Sequence, residues 1–271
     1  DFLLDVQQVS QQYALPKPSV FAKAGHIQAL NDVSFQLPAG KSMGIVGESG
    51  SGKSTLLNAV AARHAPVGGT VEFAVRQGQD GAGELADIYA MTEAQRRVLA
   101  RTDWGFVHQN AADGLRMNVS AGANVSERLM ALGQRHYGRL RAQASDWLER
   151  VEIDPNRIDD RPDTFSGGMR QRLQIARNLI TEPRLVFMDE PTSGLDVSVQ
   201  ARLLDMLRQL TRKMQLAAIV VTHDLAVARL LAHRMIVMQR GCVVEVGLTD
   251  QVLDDPQHPY TQLLVSSVLQ P

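Results

Sequence analysis

Short apolar runs alternate with longer segments of helical periodicity along this chain. The runs predict eight strands, near Leu3–Tyr13, Ala29–Leu37, Ser42–Val46, Val71–Val75, Gly105–His108, Leu185–Met188, Ala217–Val221 and Met235–Met238. Proline and glycine predict a loop at Leu15–His26, and the polar, glycine-rich stretch Arg76–Gly83 predicts an exposed hairpin insertion. Strands that alternate with helices favour a mainly parallel α/β sheet.

The longest helical pattern runs from Met91 to about Val151 and falls between the two halves of the predicted sheet. It therefore predicts a helical subdomain inserted into that sheet. From Asp254 onward, a short turn that contains prolines leads into a predicted terminal helix.

Composition narrows the class of protein. The 271 residues are 44% hydrophobic and 21% charged, with a formal net charge of −1; this is ordinary for a globular protein and gives no electrostatic reason to expect nucleic acid. Cys242 is the single cysteine, so we expect a reducing, cytosolic setting. No apolar run reaches the roughly 18 residues of a membrane span, and the first residues lack the features of a signal peptide. We therefore expect a cytoplasmic protein that reaches a membrane only through a partner.

A glycine-rich octapeptide joins a predicted strand to the helix that follows it. The pattern G-x-x-x-x-G-K-[ST] is matched by Gly47-Glu48-Ser49-Gly50-Ser51-Gly52-Lys53-Ser54. Glycines let backbone N–H groups converge on phosphate oxygens, and the N-terminus of a helix attracts an anion. We expect Lys53 to reach the β- and γ-phosphates and the Ser54 hydroxyl to bind Mg²⁺. The segment predicts a site for a nucleoside triphosphate.

Two carboxylates and an imidazole follow predicted buried strands. Asp189 and Glu190 come directly after Leu185–Met188, and His223 follows the strand-like run Ile219–Thr222. The carboxyl ends of parallel strands face the ligand crevice. We expect Asp189 to hold Mg²⁺ through water and Glu190 to polarise the attacking water. For His223, contact with the γ-phosphate, alignment of the water and a purely structural role all stay open.

A second glycine pair opens another predicted helix. The segment reads Phe165-Ser166-Gly167-Gly168-Met169-Arg170-Gln171-Arg172, with Ser166 as the expected N-cap. Two glycines at a helix start expose N–H groups to an anion. On local sequence alone, a capped helix with nothing bound is the simpler interpretation.

In combination, these segments resemble the ATP-binding-cassette ATPases over nearly the whole chain. The matching segments, in the order of the family, are Gly47–Ser54, Gln109, Ser166–Met169, Asp189/Glu190, Ser193–Asp196 and His223. Met169 stands where the family has Gln, and the Ser-Gly-Gly core is intact. The resemblance implies an α/β P-loop NTPase cassette with a mainly parallel sheet, an antiparallel β subdomain on the N-terminal side and an inserted helical subdomain. The nucleotide-binding core is expected at residues 1–108 and 183–254, the helical subdomain at about 110–182, and a C-terminal helical extension at 255–271.

The resemblance also implies a head-to-tail homodimer that holds two ATP molecules. Each ATP would lie between the phosphate loop of one subunit, with Thr55 directly after it, and the Ser166–Gly168 segment of the other subunit. Asp196 would cross the dimer interface.

Three further roles follow from the same resemblance. Tyr13 would stack on the adenine. Gln109 would sense Mg²⁺ and the attacking water, and would link the site to the helical subdomain. Because position 190 is glutamate, we expect Glu190 to support ATP hydrolysis.

Two subgroups of the family are most similar in detail. The segments FSGGMRQR, LDVSVQARLLD and DDPQHPYTQLLVSS resemble both the oligopeptide and dipeptide importer ATPases and the cassette protein of the bacterial carbon–phosphorus lyase system, which serves phosphonate metabolism. Further segments resemble the latter subgroup, namely Arg101–Gln109, Asp113–Arg116, Val119–Gly122 and Arg157–Asp160.

The stretch after Gln109 separates the two subgroups. Importers carry an acidic residue, a proline and Leu-Asn-Pro there, shaped to receive a membrane subunit, whereas this chain has Asn110–Asn118 with a different sequence. The resemblance therefore implies the soluble carbon–phosphorus lyase core complex as the partner. The alternative is a peripheral membrane role with membrane-spanning importer subunits, and a second cassette subunit is left open. A DNA-associated cassette would need a zinc module, a coiled coil or a basic face, and the sequence shows no sign of these.

Overall fold

The computed structural model describes residues 2–14, 25–76 and 83–268. Most of the predicted loop at 15–26 and of the predicted insertion at 76–83 lies outside these residues. The strands are β1 (Phe2–Ala14), β2 (His26–Pro38), β3 (Ser42–Val46), β4 (Gly68–Val75), β5 (Glu84–Asp87), β6 (Trp104–Val107), β7 (Leu185–Asp189), β8 (Ala217–Val221), β9 (Arg234–Gln239) and β10 (Cys242–Leu248). The helices are α1 (Lys53–Val60), α2 (Glu93–Thr102), α3 (Ala111–Gly114), α4 (Ala121–Ala131), α5 (Tyr137–Arg150), α6 (Gly167–Leu179), α7 (Val197–Lys213), α8 (Leu225–Leu231), α9 (Thr249–Asp254) and α10 (Pro259–Val268).

The chain divides into two compact units. The first contains the residues up to Glu93 together with those from Val221 onward, and the second is Ala94–Val220. The predicted division into a nucleotide-binding core and a helical subdomain is based on function, whereas these two units are defined by compactness. The predicted division stays a prediction.

The first unit contains an antiparallel sheet of order β2-β1-β4-β5 and the strands β10-β9-β3. Strand β3 runs parallel to β9, which pairs antiparallel with β10. All five residues of β3 are buried, which explains why Met43–Val46 carry no polar side chain instead of alternating. The buried Ser42 hydroxyl donates to the Leu231 carbonyl oxygen at 2.6 Å. A core cluster around Val46, Val237, Leu253 and Tyr260 joins this strand to the C-terminal helices.

The second unit contains the strands in the order β8-β7-β6, with β6 parallel to β7. The apolar residues Leu185–Met188 of β7 are fully buried. Trp104 and Phe187 meet edge to face, with their ring centroids 5.4 Å apart, an arrangement that stabilises a core beyond the buried area alone. These contacts fix the end of β7, where the predicted acidic residues stand.

The predicted fold class is confirmed, and each of the eight predicted strands is present. In the part of the chain that the structure describes, the strands β5 and β10 and the helix α9 were not predicted. Strand β5 is a short four-residue partner of β4, with Val75 paired to Glu84, so its structure comes from pairing rather than from an apolar pattern. Among the described residues, no helix is both long enough and apolar enough to cross a membrane.

Candidate nucleotide-binding and hydrolysis site

The glycine-rich loop of residues 47–54 connects β3 to α1 in the first unit. Gly47, Gly50 and Gly52 have φ angles of 151°, 79° and 103°, which side-chain-bearing residues rarely adopt. A Cβ on Gly47 would lie 2.3 Å from the carbonyl oxygen of Met238, so a larger residue would collide with backbone. A Cβ on Gly50 would have no described atom within 4 Å. The loop is therefore anchored at one end, and its middle faces open space that a phosphate group can enter.

Lys53 holds its charge inside this loop. Its side chain is buried, and Nζ donates to the carbonyl oxygens of Gly47 at 2.7 Å and Glu48 at 2.8 Å. Ser54, in the first turn of α1, is exposed. A triphosphate binds to an ammonium group, an exposed hydroxyl and the N-terminus of a helix. Lys53, Ser54 and the start of α1 supply these groups. The residues present therefore fit the expected ligand.

Tyr260 of α10 is hydrogen-bonded to the phosphate loop. Its hydroxyl accepts a hydrogen bond from the backbone N–H of Glu48 at 3.0 Å. The ring is 6% exposed and packs in the cluster that contains Val46, the last residue of β3. Sequence reasoning missed this contact, although the His-Pro-Tyr segment was visible, because only the fold brings α10 to the loop.

Tyr13 and His223 also belong to the first unit. Tyr13 is 42% exposed on β1, so its ring is available for stacking. His223 is exposed and follows Thr222, whose N–H donates to the carbonyl oxygen of Ile45 at 3.1 Å. That bond holds Thr222, directly before His223, beside β3, the strand that leads into the phosphate loop.

The second unit places Gln109 against the turn that follows β7. Asp189 is the last residue of β7, and Glu190 has a left-handed φ of 46°. The Ser193 N–H donates to the Glu190 carbonyl oxygen at 3.1 Å, and Gln109 Nε2 donates to Ser193 Oγ at 3.1 Å. The structure thus brings Gln109 to the turn that carries Glu190. Ser193 was predicted only as part of a family segment, not as a partner of Gln109.

Ser166 caps α6, as predicted, by accepting a hydrogen bond from the Met169 N–H at 3.3 Å. A Cβ on Gly168 would lie 2.4 Å from Val199 Cγ1, so this glycine lets α6 approach α7 closely. Gly167 is exposed, and so is Asp196 at the start of α7, where its side chain makes no capping hydrogen bond. The segment therefore presents the start of one helix and the carboxylate of another to solvent.

The predicted site residues fall into two groups. The phosphate loop, Thr55, Tyr13 and His223 lie in the first unit, and Gln109, Ser166–Gly168, Asp189, Glu190 and Asp196 lie in the second. Each group has a defined geometry of its own, and the roles assigned to both remain proposals.

Comparison with known proteins identifies the family. Residues 30–193 match the model of the family described as ABC transporter, and residues 244–271 match the oligopeptide/dipeptide transporter C-terminal region. The chain is 60% identical to the "Putative phosphonates utilization ATP-binding protein PhnK" of Escherichia coli (strain K12), over 99% of this chain and 98% of that protein. It is 35% identical to the dipeptide transport ATP-binding protein DppF of the same strain, over 98% of this chain and 76% of the relative.

A solved structure extends the likeness to three dimensions. The post-hydrolysis dimer of the ATP-binding cassette MJ0796, bound to ADP and Pi, aligns with a TM-score of 0.77 at 27% identity, over 91% of this chain and 98% of that one. The match of sequence family, full-length relatives and fold leads to one conclusion: the chain belongs to the ATP-binding-cassette family of ATP-hydrolysing proteins.

Proposed function

We propose that this protein dimerises around two ATP molecules and uses their hydrolysis to act on a soluble carbon–phosphorus lyase complex in phosphonate metabolism. The observation that carries the proposal is the 60% identity, over almost the full length of both chains, to a protein named for phosphonates utilization.

In this proposal the first unit binds the substrate ATP. The loop N–H groups and the Lys53 ammonium hold the β- and γ-phosphates, and Tyr13 stacks on the adenine. Support comes from the open space at Gly50 and from the buried Lys53. Ser54 would hold Mg²⁺ directly and Asp189 would hold it through water, and the ion would neutralise charge on the phosphate oxygens.

Hydrolysis needs a water aligned with the γ-phosphate. The water oxygen attacks phosphorus, the bond from phosphorus to the β–γ bridging oxygen breaks, and ADP leaves with phosphate. Glu190 polarises the water by accepting its hydrogen bond, while Gln109 and His223 orient it. The hydrogen bond from Gln109 to Ser193, in the turn that starts at Glu190, supports a shared role for these two residues.

The dimer brings Ser166–Gly168 of one subunit to the ATP of the other. Exposed helix-start N–H groups at Gly167 suit a γ-phosphate that arrives from a second copy. The exposed Asp196 would then lie at the interface. Support comes from the solved cassette, which is dimeric.

The partner is the finer part of the proposal. Asn110 caps the short helix α3 by accepting the Ala112 N–H at 3.0 Å, and the sequence of this stretch differs from the importer pattern. One observation favours the alternative, an importer motor: residues 244–271 match a region described for oligopeptide and dipeptide transporters.

Affinity purification from the native host separates the two partners. A tagged Glu190→Gln variant, which would retain ATP, is captured with Mg²⁺–ATP present, and an equally tagged Lys53→Ala variant is the matched control that binds nucleotide weakly. We expect soluble phosphonate-processing subunits in the first sample and fewer in the second. Recovery of integral membrane proteins alone would refute the lyase partner and support the importer.

A further inference from the structure

Helix α6, which begins with the Ser166–Gly168 segment, carries three buried amide side chains. Gln171, Gln174 and Asn178 are 3%, 0% and 5% exposed. Their spacing of three and four residues places them along one face of the helix. A buried face of a helix is normally apolar, and a buried amide costs stability unless it is hydrogen-bonded. These three side chains therefore need partners of a specific kind.

Their partners lie on the free edge of β6. Strand β6 pairs with β7 on one side and is the last strand in the described order. On its other side, the Phe106 N–H donates to Asn178 Oδ1 at 2.9 Å, and the His108 N–H donates to Gln174 Oε1 at 2.6 Å. Alternate residues of a strand direct their N–H groups to the same edge. The amides of α6 thus take the place of a missing neighbouring strand.

His108 is held at two points. Gln174 Nε2 donates back to the His108 carbonyl oxygen at 3.1 Å, and Gln171 Nε2 donates to the same oxygen at 3.2 Å. This carbonyl belongs to the peptide group that joins His108 to Gln109. Its orientation therefore sets the direction in which Gln109 leaves the strand.

The surrounding packing holds the three amide side chains of α6 in place. A Cβ on Gly114 would lie 2.3 Å from Gln174 Oε1, and a Cβ on Gly105 would lie 3.2 Å from Asn178 Cβ. Both glycines leave the space that the amides occupy. Arg128 Nη1 donates to Asn178 Oδ1 at 3.2 Å and Arg128 Nη2 to the Trp104 carbonyl oxygen at 2.5 Å, which ties the same edge to α4.

We propose that Gln174, with Gln171 and Asn178, is a positioning residue that couples the start of α6 to Gln109. When the ATP of a second subunit engages Ser166–Gly168, α6 is displaced. This displacement is transmitted through the His108 peptide group to the side-chain amide of Gln109, which orients the water. The inference rests on the proposed roles of Gln109 and of the Ser166–Gly168 segment, and adds the physical link between them.

The test is a double-mutant cycle on ATP turnover by the full-length protein. Gln174→Met keeps the length of the side chain and removes both bonds to His108. We expect kcat to fall about tenfold to a hundredfold, the loss that a misplacement of roughly an ångström produces, while the Kd for Mg²⁺–ATP stays unchanged because the phosphate loop is intact. In a Gln109→Ala background, Gln174→Met should lower kcat no further, because Gln174 acts through Gln109.

Gln11→Met is the matched control. Gln11 is a buried glutamine that accepts a backbone N–H, from Val67 at 3.1 Å, in the first unit. The Gln11→Met substitution should lower thermal stability and leave kcat unchanged. If Gln174→Met does not fold, Gln171→Met removes one of the two donors to His108, and the same non-additivity is expected with a smaller loss.

The outcomes distinguish the two proposals. If Gln109→Ala lowers kcat and Gln174→Met lowers it by the same factor in both backgrounds, the coupling is refuted and the role of Gln109 stands. If Gln109→Ala leaves kcat unchanged, the proposed role of Gln109 fails and the coupling fails with it.

Discussion

Replacing Tyr260 with phenylalanine would remove one hydroxyl oxygen beneath the phosphate loop. The ring is 6% exposed and packs beside Val46, and phenylalanine preserves that packing. The substitution therefore isolates the hydrogen bond that the hydroxyl accepts from the Glu48 N–H at 3.0 Å. Without it, the Glu48 peptide group can rotate, and the loop has to be ordered again when ATP binds.

The expected effect follows from the value of one such bond. A hydrogen bond of this kind contributes about 0.5–1.5 kcal/mol net. If that free energy serves to preorganise the loop, the Kd for ATP rises by about twofold to tenfold when the bond is lost. The mutation should change kcat little, because Tyr260 lies beneath the loop and is not expected to contact the attacking water.

Calorimetric titration with Mg²⁺–ATP measures this change, with both proteins carrying Glu190→Gln so that turnover does not interfere. Tyr89→Phe is the control, because the Tyr89 hydroxyl lies at the far end of α1, within donating distance of the carbonyl oxygens of Ala59 (2.6 Å) and His64 (2.7 Å). It should lower stability without a change in ATP affinity. An unchanged Kd for Tyr260→Phe, or an equal shift for Tyr89→Phe, would refute the supporting role.

Three other substitutions test separate parts of the molecule. Glu190→Gln should abolish turnover and preserve ATP binding, with dimer accumulating on size exclusion in ATP; near-normal hydrolysis would contradict its role. Lys53→Ala should weaken Mg²⁺–ATP binding itself, and an unaltered titration would count against the loop assignment. Burial alone would raise the pKa of Glu245, but the neighbouring Thr261 side chain, together with N–H bonds from Gln257 at 2.9 Å and His258 at 3.0 Å, holds that pKa below its usual value of 4.5. The stability that Glu245 contributes is therefore present above about pH 4.5 and lost as the pH falls below it. Urea denaturation of Glu245→Gln should show a weaker loss over that acidic range, and identical acid profiles would exclude this contribution.

Local sequence was sufficient where one physical requirement dominates. Strand β3 was predicted with its observed bounds because a strand buried on both faces is mostly apolar and does not alternate, as Met43–Val46 show. The phosphate loop was predicted from the pattern G-x-x-x-x-G-K-[ST], and its glycines at Gly47 and Gly52 have positive φ angles, which glycine adopts at little steric cost. Ser166 was predicted as an N-cap from residue type and position alone, and its hydroxyl does cap α6.

Local sequence was insufficient where the structure of a residue depends on a segment that is distant in the chain. His26 was assigned to a loop, yet it begins β2, where it pairs with Ala14. Gln174 and Asn178 look like solvent-facing residues of an amphipathic helix, and only the open edge of β6 explains their burial. Tyr260 gave no local sign that its hydroxyl meets Glu48, 212 residues earlier in the chain.

In the proposed mechanism the two units contribute by different means, so variants in each unit should change different measured quantities. In the first unit, backbone geometry and the buried Lys53 ammonium shape the proposed ATP site, so Lys53→Ala and Tyr260→Phe should lower the affinity for ATP. In the second unit, side-chain amides of α6 position the strand that leads to Gln109, so Gln174→Met should act on turnover. In the proposed dimer, a link from α6 to Gln109 that can be broken without loss of ATP binding would make turnover depend on assembly.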